Sequence, residues 1–144
     1  MARLPRSALP PQGVYHVTAR GVDRCAIYRD DDDRAAFVAL LGLVARRRKW
    51  VVHVYCLMGN HYHLIVETTL ERLSAGLHRL NGTHAQQFNE RYGRVGHLFQ
   101  GRFDSRVIRD DEHLAGAIEY TRNNPVRARL VETADQWPWS GRIV

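Results

Sequence analysis

Apolar and polar positions change period several times along the chain, and each change marks an element. Val14, His16 and Thr18 alternate with Tyr15, Val17 and Ala19. A period of two predicts a strand over 13–22, closed by Gly21. From Asp30 to Lys49 the period becomes helical, with Phe37, Leu40, Leu41 and Val44 at i, i+3, i+4 and i+7. The acidic start, Asp30 to Asp33, and the basic end, Arg46 to Lys49, suit a helix dipole, which explains both runs better than a metal site does. A strand over 51–57, a turn at Met58-Gly59-Asn60 and a strand over 61–67 read as a hairpin. Thr68-Thr69-Leu70-Glu71 has capping-box form. It opens a helix with Leu73, Leu77, Leu80, His84 and Phe88 on one stripe, weakened at Gly82 and ending near Gly93. A strand follows over 101–109. A last helix is capped by Asp110 or Asp111, packs through Leu114, Ala117, Ile118 and Thr121, and is stopped by Pro125.

The order β-α-β-β-α-β plus one helix matches an α+β, ferredoxin-like or split βαβ fold: an antiparallel sheet with helices on one face and an additional C-terminal helix. One domain is predicted over 13–131. Residues 1–12, with Pro5, Pro10 and Pro11, read as an extended arm. Residues 132–144 read as a tail that packs back through Trp137 and Trp139. At 144 residues the chain is long enough for a single proper core.

Charge narrows the function. Lys and Arg number 21 against 15 Asp and Glu, and only Lys49 is a lysine; the isoelectric point is near 9.9. A basic domain favours an anionic polymer or surface, and arginine forks suit phosphate and base edges. An arginine-biased proteome explains the lysine deficit equally well. No apolar run approaches a membrane span and no secretory signal opens the chain, so a membrane role is not expected. Cys25 and Cys56 show no close-spaced pairing, which fits free thiols in a reducing cytoplasm.

The candidate chemistry lies in two places. His61 and His63 share one strand face with Ile65, while Tyr62, Leu64 and Val66 share the other. The two histidine Cα atoms would lie roughly 6.5 Å apart, near enough to grip one cation. A bare His-x-His is weak evidence by itself, and His16 and His53 read as isolated, structural histidines. A zinc site using Cys56 lacks the familiar ligand spacings. Tyr120 and Asn124, four apart, stack on one flank of the last helix. From spacing alone, a half-buried tyrosine and an asparagine closing a helix before proline account for them better.

The segment Tyr55-Cys56-Leu57-Met58-Gly59-Asn60-His61-Tyr62-His63-Leu64-Ile65-Val66-Glu67-Thr68 resembles the His-hydrophobe-His (HUH) motif of single-tyrosine transposases. Tyr120 with Asn123-Asn124-Pro125-Val126-Arg127-Ala128 resembles their tyrosine helix. Tyr15 to Gly21, Gly96 to Phe103 and Trp137-Pro138-Trp139-Ser140 resemble segments of the REP-associated tyrosine transposase branch. The resemblance implies cleavage and rejoining of single-stranded, hairpin-forming DNA with a divalent metal, Mg or Mn. It makes His61 and His63 metal ligands, Asn124 a third ligand and Tyr120 the nucleophile that forms a 5′-phosphotyrosine. Tyr62 is a polar-tipped middle residue, and Arg129 stands where relatives often carry glycine. Because a phenol is protonated at neutral pH, the metal or an arginine must help Tyr120 ionise. Arg20, Arg102, Arg122 and Arg127 are candidate phosphate contacts, with surface ion pairing an equal alternative for each. One tyrosine per chain holds one DNA end, so a homodimer is compatible with the reading. Two rivals remain: a non-catalytic single-strand-binding module, which lacks here the aromatic sheet signature of its class, and a metal-dependent hydrolase that activates water.

Overall fold

The computed structural model describes residues 12–144. The arm expected over 1–12 lies outside the described residues except for Gln12, which opens the first strand. Five strands, β1 (Gln12–Arg20), β2 (Val51–Leu57), β3 (His61–Thr69), β4 (Asp104–Ile108) and β5 (Ser140–Ile143), form one antiparallel sheet in the order β4-β1-β3-β2-β5. The first four strands keep the split βαβ arrangement, with β3 between β1 and β2.

Alternation along the strands separates two faces. Tyr15, Val17, Ala19, Val52, Tyr62, Leu64 and Val66 point to a core closed by α1 (Asp31–Arg47) and α2 (Leu70–Tyr92) through Phe37, Leu41, Leu73, Leu77 and Leu80. On the other face Val54, Ile65 and Ile108 meet Leu114, Ala117 and Ile118 of α3 (Asp111–Arg122). Two helices therefore cover one face, as expected, and the additional helix covers part of the other.

Local chemistry sets the helix ends. Asp30 caps α1 by accepting from the Asp33 N–H, and Asp110 caps α3 by accepting from the His113 N–H. Asp33 is buried, 6% exposed, and accepts from Tyr92 Oη, Arg91 and the Arg29 N–H. This network pins α1 to the end of α2. The cap of α2 is Thr69, which accepts from Arg72 N. Thr68 is still in β3 and donates to the Lys49 carbonyl, so the reciprocal Glu71 contact of a capping box does not form.

Two expectations about the C-terminal part need revision. Pro125 does not end the helical path. α3 closes at Asn123, and a single further turn, α4 (Asn124–Arg127), carries Pro125 in its first turn, where a missing N–H costs nothing. The tail also does more than pack. Residues 140–143 add β5 to the edge of β2, while Trp137 Nε1 donates to the Leu57 carbonyl at 3.0 Å and Leu57 N donates to Trp139 O at 2.9 Å. β4 is shorter than the strand expected over 101–109, running from Asp104 to Ile108, with Gly101 turning the chain before it at φ 61°. Among the described residues no helix is long and apolar enough to cross a membrane.

Candidate active site

The histidines lie on the sheet face that α3 partly covers. His61 and His63 project from β3 on that face, opposite Arg20 and Thr18 of β1 in register. Their ring centres lie 5.1 Å apart with planes at 84°. Two imidazoles sharing one ion at about 2.1 Å bring their ring centres to roughly 5 Å, so the pair fits a common cation. Each Nδ1 is engaged elsewhere. His61 Nδ1 donates to Asn60 Oδ1 at 2.7 Å. His63 Nδ1 lies 3.2 Å from Thr18 Oγ1 and 3.1 Å from His16 Nε2. That leaves the two Nε2 atoms as the nitrogens available to a cation, the arrangement that outer-sphere partners usually impose on ligating histidines.

Electrostatics agree with neutral rings. Burial, then Arg20, lowers the pKa of His61. Burial first, with His16, His61, Arg127 and Arg20 adding, pushes His63 down to about 3. Cys56, the cross-strand partner of His63, is fully buried, and burial holds its thiol up at about 11; a protonated thiol is a poor ligand. Among the described residues no three His, Cys, Asp or Glu side chains converge as a preformed cation site. The histidines offer two donors; a cation held between them would take any third from another residue type or from a bound molecule.

Tyr120 lies on α3, 59% exposed, on the flank of the stripe that packs on the sheet. The guanidinium of Arg127, at the end of α4, stacks on its ring at 3.7 Å. The charge of Arg127 also acts on His63 and Cys56, so one arginine is shared by the tyrosine and the histidine face. The tyrosine is thus exposed, against the half-buried, bonded state that spacing alone favoured. Of the two adjacent asparagines, Asn123 turns its amide back to the Glu119 carbonyl and carboxylate at 2.9 Å. Asn124 is half-buried, and none of the described residues hydrogen-bonds to its carboxamide. A residue before proline is biased away from helical geometry, yet Asn124 opens α4 and stays on the helical path.

The four candidate arginines separate. Arg20, opposite His61, and Arg127 act on the histidines. Arg102 lines a cleft of about 550 Å³ with Ser74, His78 and Asn81 on the α2 side of the sheet. Arg122 pairs with Asp135 at 2.9 Å. Sequence reasoning missed His16, Thr18 and Asn60 as neighbours of the paired histidines. The alternation of β1 already placed His16 and Thr18 on one face, but only the β1–β3 register brings that face to His63.

Comparison with known proteins gives concordant results. The family model described as transposase, IS200-like, matches residues 11–124. A Haemophilus influenzae protein named as a REP-associated tyrosine transposase is 30% identical over 59% of this chain and 54% of its own length; the match spans about half of that relative. Among solved structures, a REP-associated tyrosine transposase bound to a REP hairpin superimposes with a TM-score of 0.75 at 20% identity, over 97% of this chain and 82% of that one. A structure described as a transposase from Deinococcus radiodurans R1 gives 0.55 at 15% identity, over 85% and 97%. At these identities the two structures establish the shared fold.

Proposed function

Because the chain belongs to the IS200-like transposase family, we propose that it cleaves and rejoins single-stranded, hairpin-forming DNA by transesterification, with Tyr120 as nucleophile and His61, His63 and Asn124 as the residues that hold a divalent cation, Mg or Mn. The observation that carries the reading is the shared arginine: Arg127 stacks on the exposed Tyr120 ring and acts electrostatically on His63. Hairpin DNA as substrate is supported by the relative whose structure holds a REP hairpin and by the net charge of +6.

The bound cation would supply charge neutralisation at the scissile phosphate and the leaving 3′-oxygen. The chain's own residues do the rest. His61 and His63 present bare Nε2 atoms, held by Asn60 on one side and by Thr18 and His16 on the other. Asn124 offers a carbonyl oxygen that no described residue occupies. Arg20 and Arg127 contact phosphate oxygens, and Arg127 fixes the tyrosine ring. Tyr120 gives up its phenolic proton to solvent and its Oη attacks the phosphorus in line. The P–O3′ bond breaks, the released 3′-oxygen takes a proton, and a tyrosyl 5′-phosphodiester forms. Attack by another 3′-hydroxyl reverses these steps, so rejoining needs no nucleotide cofactor. Arg102 and Arg122 lie away from this chemistry and serve, in this reading, only as more distant backbone contacts.

The test is covalent capture. A hairpin oligonucleotide with single-stranded flanks, labelled 3′ of the cut, is incubated with the protein and Mg or Mn. Label should migrate with protein on a denaturing gel, and peptide mapping should place the adduct at Tyr120. Tyr120→Phe removes one exposed hydroxyl and should fold and bind DNA yet neither cut nor attach. Cleavage by Tyr120→Phe with no adduct in wild type would favour the water-activating hydrolase. Binding without cleavage by any metal-loaded protein would favour the binding module.

A further inference from the structure

Two histidines away from the proposed chemistry bond ordinary partners. His84 Nε2 donates to the Ile27 carbonyl at 2.7 Å, and His53 Nε2 meets Glu67 Oε1 at 2.8 Å. His16 differs. Its Nε2 lies 3.1 Å from Nδ1 of His63, with ring centres 5.3 Å apart and planes tilted by 54°. Two neutral imidazoles share a hydrogen bond only if one nitrogen carries the proton and the other is bare. The bond therefore couples their tautomers. With His63 donating from Nδ1, its Nε2 keeps a lone pair. With His16 donating, the proton of His63 sits on Nε2 and blocks that nitrogen as a ligand.

We propose that His16, assisted by Thr18, is a positioning residue for the paired-histidine site: His16 Nε2 accepts the Nδ1–H of His63 and so holds His63 as the tautomer whose Nε2 is bare and open to a divalent cation. The proposal rests on the reading of His63 as a metal ligand. The backbone puts both partners where this role requires them. Thr18 is the direct cross-strand partner of His63, and His16 lies opposite Ile65, diagonal to His63 on the same face. The neighbours Tyr15 and Val17 are fully buried on the opposite face, which fixes the direction of the His16 ring. Thr18 Oγ1, 3.2 Å from the same Nδ1, accepts from the shared proton and so supports the same tautomer. A histidine that merely packed would leave the protonation pattern of its neighbour unaltered.

The experiment uses the full chain with 15N-labelled histidine, first without metal. Long-range 15N–1H correlation spectra report which ring nitrogen carries each proton. The proposal expects His63 protonated at Nδ1 and His16 bare at Nε2. In the His16→Leu, Thr18→Val double variant the His63 proton should move substantially to Nε2, and the Kd for Mn(II), read by titration calorimetry, should weaken about 10- to 100-fold. His16→Gln, whose carbonyl oxygen can accept the same bond, should restore both tautomer and Kd. A wild-type His63 protonated at Nε2 overturns the proposal, and this arm decides even where the double variant fails to fold. An unchanged tautomer and Kd in a folded double variant also overturns it, and Mn(II) that still broadens His61 and His63 resonances would then leave the ligand reading intact. If the tautomers respond as expected but Mn(II) broadens neither histidine, the ligand reading falls and takes the proposal with it.

Discussion

Replacing Arg127 probes the link between the tyrosine and the histidine face most directly. Arg127→Ala removes two contributions. The first is the stack on the exposed Tyr120 ring at 3.7 Å. At an exposed site such a contact is worth about 0.5–1 kcal/mol, so the fraction of time the phenol spends correctly placed falls roughly two- to fivefold. The second is the proposed charge-assisted hydrogen bond to a phosphate oxygen, worth about 1.5–3 kcal/mol. Together they amount to about 2–4 kcal/mol, or roughly a 30- to 900-fold slower cleavage step. Arg127→Lys keeps the charge but loses the planar stack, so its deficit should be near the two- to fivefold estimated for stacking alone. The residue is exposed, so stability should change by no more than about 0.5 kcal/mol. Removing the cation should also raise the pKa of His63 from its depressed position near 3, because Arg127 is one of the charges that lower it. The assay is single-turnover cleavage and adduct formation on a hairpin oligonucleotide at saturating Mn, with a thermal melt as control. An Arg127→Ala protein that folds and cleaves at close to the wild-type rate would refute the shared-arginine argument.

Two further outcomes test the frame rather than the chemistry. Asp33 is pushed up by burial, but hydrogen bonds from Tyr92, Arg29 N and Arg91 outweigh this and hold its pKa below the ordinary carboxylate value of 3.8. Its contribution to stability is therefore present above that value and lost as pH falls through the lower, folded-state pKa; Asp33→Asn should cost about 1–2 kcal/mol at neutral pH, with the difference from wild type shrinking in acid, as read by urea unfolding at several pH values. Arg129 adopts φ 60°, in the left-handed region, where a side chain is disfavoured; Arg129→Gly should stabilise by up to about 1 kcal/mol, whereas Arg129→Ala, which keeps the Cβ, should not, and equal effects of the two would sink the backbone explanation.

The periodicities carried most of the frame. Strand alternation over 13–22 and 61–67 and helical stripes over 30–49 and 73–88 correspond to β1, β3, α1 and α2, because each of these elements buries one continuous face. The pattern failed where burial is one-sided and brief. β5 has four residues, of which Arg142 is exposed, and it exists because the edge of β2 has backbone groups to pair. No local signal in Ser140-Gly141-Arg142-Ile143 announces that edge. Pro125 misled for a related reason: proline breaks a helix interior but is welcome in a first turn, and only the chain path tells one from the other.

The site divides along the same line. His61 and His63 could be assigned to one face because their relation is local, two residues on one strand. Tyr120 and Asn124 could be assigned to one flank because four residues make about one helical turn. What sequence spacing could not supply is what surrounds these two local units, since that depends on a register across β1 and β3 and on the path of the chain after α3. The register supplies Thr18 and His16 to His63, and α4 returns Arg127 onto Tyr120. These contacts between elements decide whether two histidines on a strand are ligands or ornaments of a surface. A His-x-His pair with unoccupied Nδ1 atoms would present either nitrogen to solvent with little preference. Here Asn60 holds one Nδ1, Thr18 and His16 hold the other, and the freedom left is confined to the two Nε2 atoms that the proposed chemistry requires.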